Sequence, residues 1–311
     1  MKRKILEFLI CPDCLPDEIP LSPTEGAHPS DDIIEGALRC AGCGRSYPIR
    51  EGVAKIVPSG GRQGSASRYE EPALLSAYLW SHYADIFGDP EATSAYRQWA
   101  EEISGSSGTG LDAGCATGRF AFEMARKCDF VIGLDRSESF VSTARRILQA
   151  RKLVFRVREE GRIQAERTLV LPGSWHSHNM EFIVGDAHAL PFRSGAFSCI
   201  ASLNLIDKVP RPLEHVREMS RVARAADSQF LISDPFSWSE EICPPESWLG
   251  GVVEGEFAGR GLENLARILS GKPGGVSRNW KIARRGEVWW KIRNHCNHFE
   301  LIRSLYIKAE R

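Results

Sequence analysis

The 311-residue chain is predicted to fold as an α/β protein: a Rossmann-like parallel sheet with helices on both faces, preceded by a small zinc ribbon built on four cysteines. Three observations carry that expectation. From Thr109 onward short apolar runs alternate with amphipathic ones, the pattern of parallel strands joined by crossover helices. A glycine-rich turn closes the first of those strands, at the end where open sheets hold ligands. Two Cys-x-x-Cys pairs stand near the N-terminus, ahead of a glycine- and serine-rich stretch.

Composition sets the outer limits. With 42% hydrophobic and 26% charged residues the chain can bury a sizeable core, and its length suits one large domain and one small one. The formal net charge is zero, so no global field draws in nucleic acid or an anionic membrane. A small-molecule substrate is therefore expected ahead of RNA. The opening MKRKILEFLI has a basic tip, but its apolar run is interrupted by Glu7 and is too short for a signal-peptide core or a membrane span. A cytoplasmic protein without membrane contact is expected.

The first element in the chain is the ribbon, residues 1–58. Nine cysteines are present: Cys11, Cys14, Cys40 and Cys43 cluster, whereas Cys115, Cys128, Cys199, Cys243 and Cys296 are scattered. Paired knuckles within an odd total suit a metal in a reducing compartment better than a disulfide framework. Each knuckle can present two thiolates to one tetrahedral ion, and four sulfur ligands leave no open position, so the expected zinc is structural. The stretch Leu38 to Val57, LRCAGCGRSYPIREGVAKIV, resembles the ribbon of some rRNA guanine methyltransferases and the small zinc-ribbon activator proteins of methyltransferases. That resemblance implies RNA binding or a protein partner. Against RNA, residues 1–58 hold seven Lys/Arg and nine Asp/Glu, a poor balance for phosphate. A docking or stabilising role is expected instead.

Residues 59–69 form the expected linker, and residues 70–311 the large domain. Pro72 to Phe87 and Glu91 to Ile103 carry Leu, Tyr, Trp and Ala at helical spacing, split by Gly88-Asp89-Pro90. Strands follow at Gly110 to Ala113, Phe130 to Asp135, Phe182 to Gly185, Phe197 to Leu203 and Gln229 to Ser233, with helices such as Phe120 to Lys127 and Pro212 to Arg224 between them. Leu153 to Trp175 departs from this alternation: it looks like two strands about a Glu-Gly turn, an insertion.

The chemistry centres on GLDAGCATGR, Gly110 to Arg119. Gly114 and Gly118 let the backbone turn tightly and approach a ligand, while the next helix offers free N–H groups to a carboxylate. Val131-Ile-Gly-Leu-Asp135 then places an acid at the end of the second strand, where a ribose-binding carboxylate is expected. A dinucleotide enzyme would show G-x-G-x-x-G, and this loop does not. LDAGCATGRF resembles the first motif of class I methyltransferases, Asp135 their ribose-binding acid, and VGDAHALPF the motif whose Asp contacts adenine. The resemblance implies S-adenosylmethionine as cofactor, held by Asp112, Gly114, Cys115, Ala116, Gly118, Arg119, Asp135, Arg136, Asp186, Ala187 and Asn204. Many relatives have a Pro-Gly-Gly turn before the fifth strand; here Ala225-Ala-Asp-Ser228 must build that turn differently.

On the substrate side, Ala201 to Lys208 (ASLNLIDK) and Ile232 to Gly251 resemble the methyltransferase domain of ovothiol biosynthesis, which methylates an imidazole nitrogen of mercaptohistidine. The likeness extends to Tyr78–Tyr83 and to Trp290–Phe299, where Asn294-His-Cys-Asn-His298 replaces some of the family's charged residues. It implies a histidine-like or thiol-containing amino acid derivative as methyl acceptor. Asn204 and Asp207, at the carboxyl end of the fourth strand, are candidates to hold it, or else loop and helix-cap groups. Trp238 and Glu240, with Trp248, are a candidate lid, or core. Arg293 is a candidate clamp for a substrate carboxylate, or a surface ion pair. Tyr83 and His82 are candidates to cover the cofactor from the first helix. His176 and His178 lack a third metal ligand, and Cys199 reads as core. Two alternatives stand beside this reading: an rRNA methyltransferase using the ribbon to hold RNA, and a non-catalytic partner subunit retaining the cofactor fold.

Overall fold

The computed structural model describes residues 1–24, 31–60, 69–272 and 274–311. Most of the expected linker, residues 61–68, lies outside the described residues. The ribbon comprises β1 (Leu21–Pro23), β2 (Gly36–Cys40), β3 (Ser46–Arg50) and β4 (Val53–Ile56). Helices α1 (Pro72–Tyr83) and α2 (Ala95–Glu101) follow, shorter than their apolar periodicity suggested. Then come β5 (Ser106–Ala113), α3 (Arg119–Met124), β6 (Cys128–Asp135) and α4 (Glu138–Ala150). The insertion is an antiparallel hairpin, β7 (Lys152–Glu160) and β8 (Ile163–Val170), as the Glu-Gly turn predicted. The chain continues through β9 (Met180–Gly185), β10 (Cys199–Leu203), α5 (Pro212–Val222), β11 (Gln229–Asp234) and α6 (Gly261–Leu269) to a long hairpin, β12 (Lys281–His295) and β13 (His298–Glu310).

The sheet is larger than the sequence pattern implied. Among the described residues its eleven strands run in the order β1-β2-β3-β4-β9-β6-β5-β10-β11-β13-β12. The parallel centre is the predicted Rossmann-like part; the ribbon extends one end and the C-terminal hairpin the other, antiparallel to β11. Ribbon and enzyme join where β4 pairs parallel with β9, Lys55 opposite Val184 and Ile56 opposite Gly185. Ribbon residues Ile5, Phe8, Leu9, Tyr47 and Ile56 also share one apolar core with Phe130, Ile183, Phe192 and Phe197. The ribbon thus packs against the large domain of its own chain.

Strand alternation divides the remaining core. Ile200 faces the layer containing α5 and α6, whereas its neighbours Cys199 and Ala201 face the layer of α1 to α4. α4 begins at Ser137, whose hydroxyl accepts from Phe140 N at 3.1 Å, and so the strand ending in Asp135 passes directly into a capped helix. The turn before β11 has Asp227 at φ 51°, in the left-handed region. Among the described residues no helix is long and apolar enough to cross a membrane.

Candidate active site

The central cleft lies over the carboxyl ends of β5, β6, β9 and β10, with a cavity volume of about 130 Å³. Its floor is the loop after β5. Gly114 N and Cys115 N both reach Leu134 O, at 2.7 and 3.0 Å, which folds the loop back over β6. Gly118 then sits at φ 86° before α3, and a Cβ there would come within 2.6 Å of the Phe182 ring. Only glycine fits that crossing. Gly118 therefore shapes the loop from behind rather than lining the cleft.

Asp135 enters from the end of β6. Its carboxylate accepts from Ala116 N and Ser137 N, each at 2.9 Å, which fixes its orientation; burial pushes its pKa up against those two donors. Asp112, one strand over, is buried with Oδ2 unpartnered among the described residues. Burial, with the neighbouring Asp135 charge, raises its pKa to about 8. An orphaned acceptor of this kind invites a cationic donor. Across the cleft Asp186 is buried too, yet Oδ1 accepts from His188 N (2.9 Å) and Nδ1 (2.7 Å), with Arg136 at 3.5 Å from Oδ2. These partners overcome the burial and hold its pKa at about 2.

Of the residues expected at the cofactor, Asp112, Gly114, Cys115, Ala116, Asp135, Arg136, Asp186, Ala187 and Asn204 all line this one cleft. Arg119 does not. It is fully buried, bonded to Glu123 Oε1 at 2.6 Å and Asp85 Oδ2 at 3.1 Å, and ties α3 to the end of α1.

Several substrate-side expectations are corrected. Tyr83 is buried and donates to Thr117 O at 2.7 Å; the same helix instead turns Tyr78 and His82, one turn apart, into the cleft. Asp207 does not line the cleft; its carboxylate accepts from Lys208 Nζ and Ser237 N, each at 2.9 Å. Trp238 stacks on Trp248, centroids 6.1 Å apart, and Glu240 is exposed; neither lines the cleft. Arg293 is buried in a different place, donating to Arg158 O (2.7 Å) and Glu159 Oε1 (2.9 Å) beside a hollow between α1, β7 and β12. Its guanidinium is consumed by the insertion hairpin, which periodicity in the sequence cannot place beside β12.

The walls missed from sequence are Tyr69, Tyr96 and Phe140. Tyr78, His188 and Trp290, which also line the cleft, fall within segments that resemblance had singled out without giving those residues a role. His82 Nδ1 lies 3.0 Å from Thr117 Oγ1, and burial lowers its pKa to about 3, so it is neutral.

The second constellation is the ribbon's. All four cysteine Sγ atoms lie within 4.8 Å of one another, with Cys11–Cys43 at 3.6 Å and Cys14–Cys40 at 3.7 Å. A tetrahedron built on bonds of about 2.3 Å has edges of about 3.8 Å. The set fits zinc. Tyr47, which donates to Asp13 Oδ2 at 2.7 Å, and Arg45, 2.9 Å from the same oxygen, brace the first knuckle. His176 and His178 pair only with each other as a possible metal site, and among the described residues the four cysteines are the one such cluster.

Comparison with known proteins matches both parts of the chain to families. Residues 111–226 match the methyltransferase domain family, and residues 2–52 match the Trm112p-like protein family. No curated protein matches the chain. Among solved structures, a complex containing the Haloferax volcanii Trm112 methyltransferase activator is 12% identical, covering 80% of this chain and 99% of that one (TM-score 0.48). A SAM-dependent methyltransferase from Methanosarcina mazei is 17% identical, covering 68% and 95% (TM-score 0.44). One from Aquifex aeolicus is 15% identical, covering 80% and 98% (TM-score 0.40). The matched domain and the Rossmann-like fold define the class: this chain is an S-adenosylmethionine-dependent methyltransferase with a Trm112-like N-terminal domain.

Proposed function

We propose that the chain methylates a nitrogen of a small histidine-like or thiol-containing amino acid derivative. The observation that carries this is the closure of the cleft by Tyr69, Tyr78, His82, Tyr96, Phe140 and Trp290, from the first helices, α4 and the C-terminal hairpin. S-adenosylmethionine supplies an activated methyl group on a sulfonium. Asp135 would hold its ribose, Asp186 and Ala187 its adenine, and the Gly114–Ala116 loop its methionine part. Aromatic faces tolerate the sulfonium's positive charge, and a neutral His82 adds no opposing one. Transfer then needs little beyond an in-line lone pair in a dry pocket, which an enclosed aromatic wall supports for a small acceptor.

The ribbon's cluster, on this reading, holds a structural zinc. An RNA substrate is the second reading. It is favoured by a groove between ribbon and α4, lined by Arg45, Arg50, Lys55 and Arg136, that meets the cleft at Arg136. Against it, Arg45 and Lys55 are paired with Asp13 and Glu138. A protein partner of the ribbon would have to use a face other than β4. Methyl transfer from labelled cofactor to mercaptohistidine, histidine, other small thiols and total RNA separates these readings. We expect label in a small imidazole or thiol; label in RNA alone would overturn the proposal.

A further inference from the structure

Beyond the residues already assigned to the cofactor, a relay from the C-terminal hairpin sets the chemistry of one cleft wall. Trp290 Nε1 lies 3.0 Å from Ser304 Oγ, and Ser304 Oγ lies 2.6 Å from Asn204 Oδ1. An indole N–H can only donate, so the serine oxygen accepts it. The hydroxyl gives its own proton to the Asn204 amide oxygen across the short 2.6 Å contact, so the oxygen of that amide faces Ser304. The NH2 of Asn204 is left facing the cleft that Asn204 lines. Ser304 is fully buried and Trp290 nearly so.

The backbone holds Asn204 in place for this. It sits at φ 55°, a left-handed conformation that asparagine tolerates better than most residues, with its N–H bonded to Ser233 O at 2.6 Å. The adjoining Leu205 packs so closely on Gly114 that a Cβ there would lie 2.9 Å from its side chain. Asn204 thus stands beside the loop expected to hold the amino-acid end of the cofactor. At that end Asp112 offers an unpartnered acceptor and Asn204 a fixed donor, a pairing suited to ammonium and carboxylate respectively.

We propose that Ser304, braced by Trp290, is a positioning residue that locks the Asn204 amide with its N–H groups toward the cleft, where they bind the carboxylate of the cofactor's amino-acid end. The proposal rests on the reading that the cleft binds S-adenosylmethionine. Removing the hydroxyl frees the amide to rotate and present oxygen to a carboxylate.

Calorimetric titration of the full chain with S-adenosylhomocysteine and with 5′-methylthioadenosine, which lacks the amino-acid end, tests it. Ser304→Ala should weaken S-adenosylhomocysteine about three- to tenfold, the span of one lost hydrogen bond, and leave 5′-methylthioadenosine unchanged. Asn204→Ala should do the same. Adding Ser304→Ala to Asn204→Ala should then cost nothing further, because Ser304 acts only through the amide. An unchanged S-adenosylhomocysteine affinity in either single variant overturns the proposal, as does an equal loss for both ligands or additive losses in the double variant. A parent protein that binds neither ligand defeats the underlying cofactor reading instead.

Discussion

At the scale of single residues, the cleft is governed by what burial does to its acids. Asp135 is held by two backbone donors, so its carboxylate is aimed before any ligand arrives. Asp135→Ala should weaken S-adenosylmethionine binding by about 1–3 kcal/mol, the cost of charge-assisted hydrogen bonds to ribose hydroxyls, read by calorimetric titration. An unchanged dissociation constant would mean the ribose lies elsewhere. Asp112 has one oxygen unpartnered among the described residues, and burial raises its folded pKa to about 8 from an ordinary value near 3.8. Between those values the folded protein keeps a proton that the unfolded chain has lost, so this group's contribution to stability falls as pH rises from about 4 to about 8. Asp112→Asn should flatten that decline. Thermal melts of the ligand-free parent and variant across this range check it, and parallel pH profiles would refute it.

At the scale of elements, the ribbon is a set of short strands that bury little without their knuckles. The thiols differ: burial pushes Cys11 and Cys14 up, whereas at Cys40 burial works against ionisation but the N–H groups of Cys43 and Gly42 bring the pKa down to about 7. A thiol ready to ionise near neutrality is a good zinc ligand. We expect one zinc per chain by metal analysis, and loss of most of it in Cys40→Ser. Full retention would dismiss the four-sulfur site. The C-terminal hairpin is the other element with an influence beyond its length: β13 pairs with β11 along Gln229 to Asp234, and its partner β12 delivers Trp290 to the cleft.

Across the whole molecule, ribbon and catalytic sheet act as one body because charges as well as strands join them. Arg145 on α4 is bonded to Glu181 on β9 and, at 2.6 Å, to Asp32 of the ribbon. Gly52, just before β4, leaves the room for that guanidinium: a Cβ there would lie 2.4 Å from Arg145 Nη2, and the residue sits at φ 76°. Gly52→Ala should therefore destabilise the protein by about 1–3 kcal/mol, through backbone strain and a displaced buried ion pair. Denaturant unfolding measures it. A midpoint equal to the parent's would show that the ribbon's seat is softer than its packing suggests.

Local chemistry alone determined the parallel centre of the fold, the insertion hairpin, the cofactor loop and the four-cysteine cluster. Each is written in local spacing: a period of two or 3.6, a glycine where the backbone must turn, thiols with two residues between them in each knuckle. The tertiary structure decided the rest. Arg293 reads as a free cation until β7 and β8 fold against β12 and take its guanidinium. Tyr83 and Tyr78 look equivalent in the sequence until the packing of α1 buries one and turns the other into the cleft. Ser304 and Asn204 are a hundred residues apart and meet only because β13 adds to the sheet beside β11. Contacts between distant segments depend on which strand edges pair and which faces pack, and no local spacing records that choice.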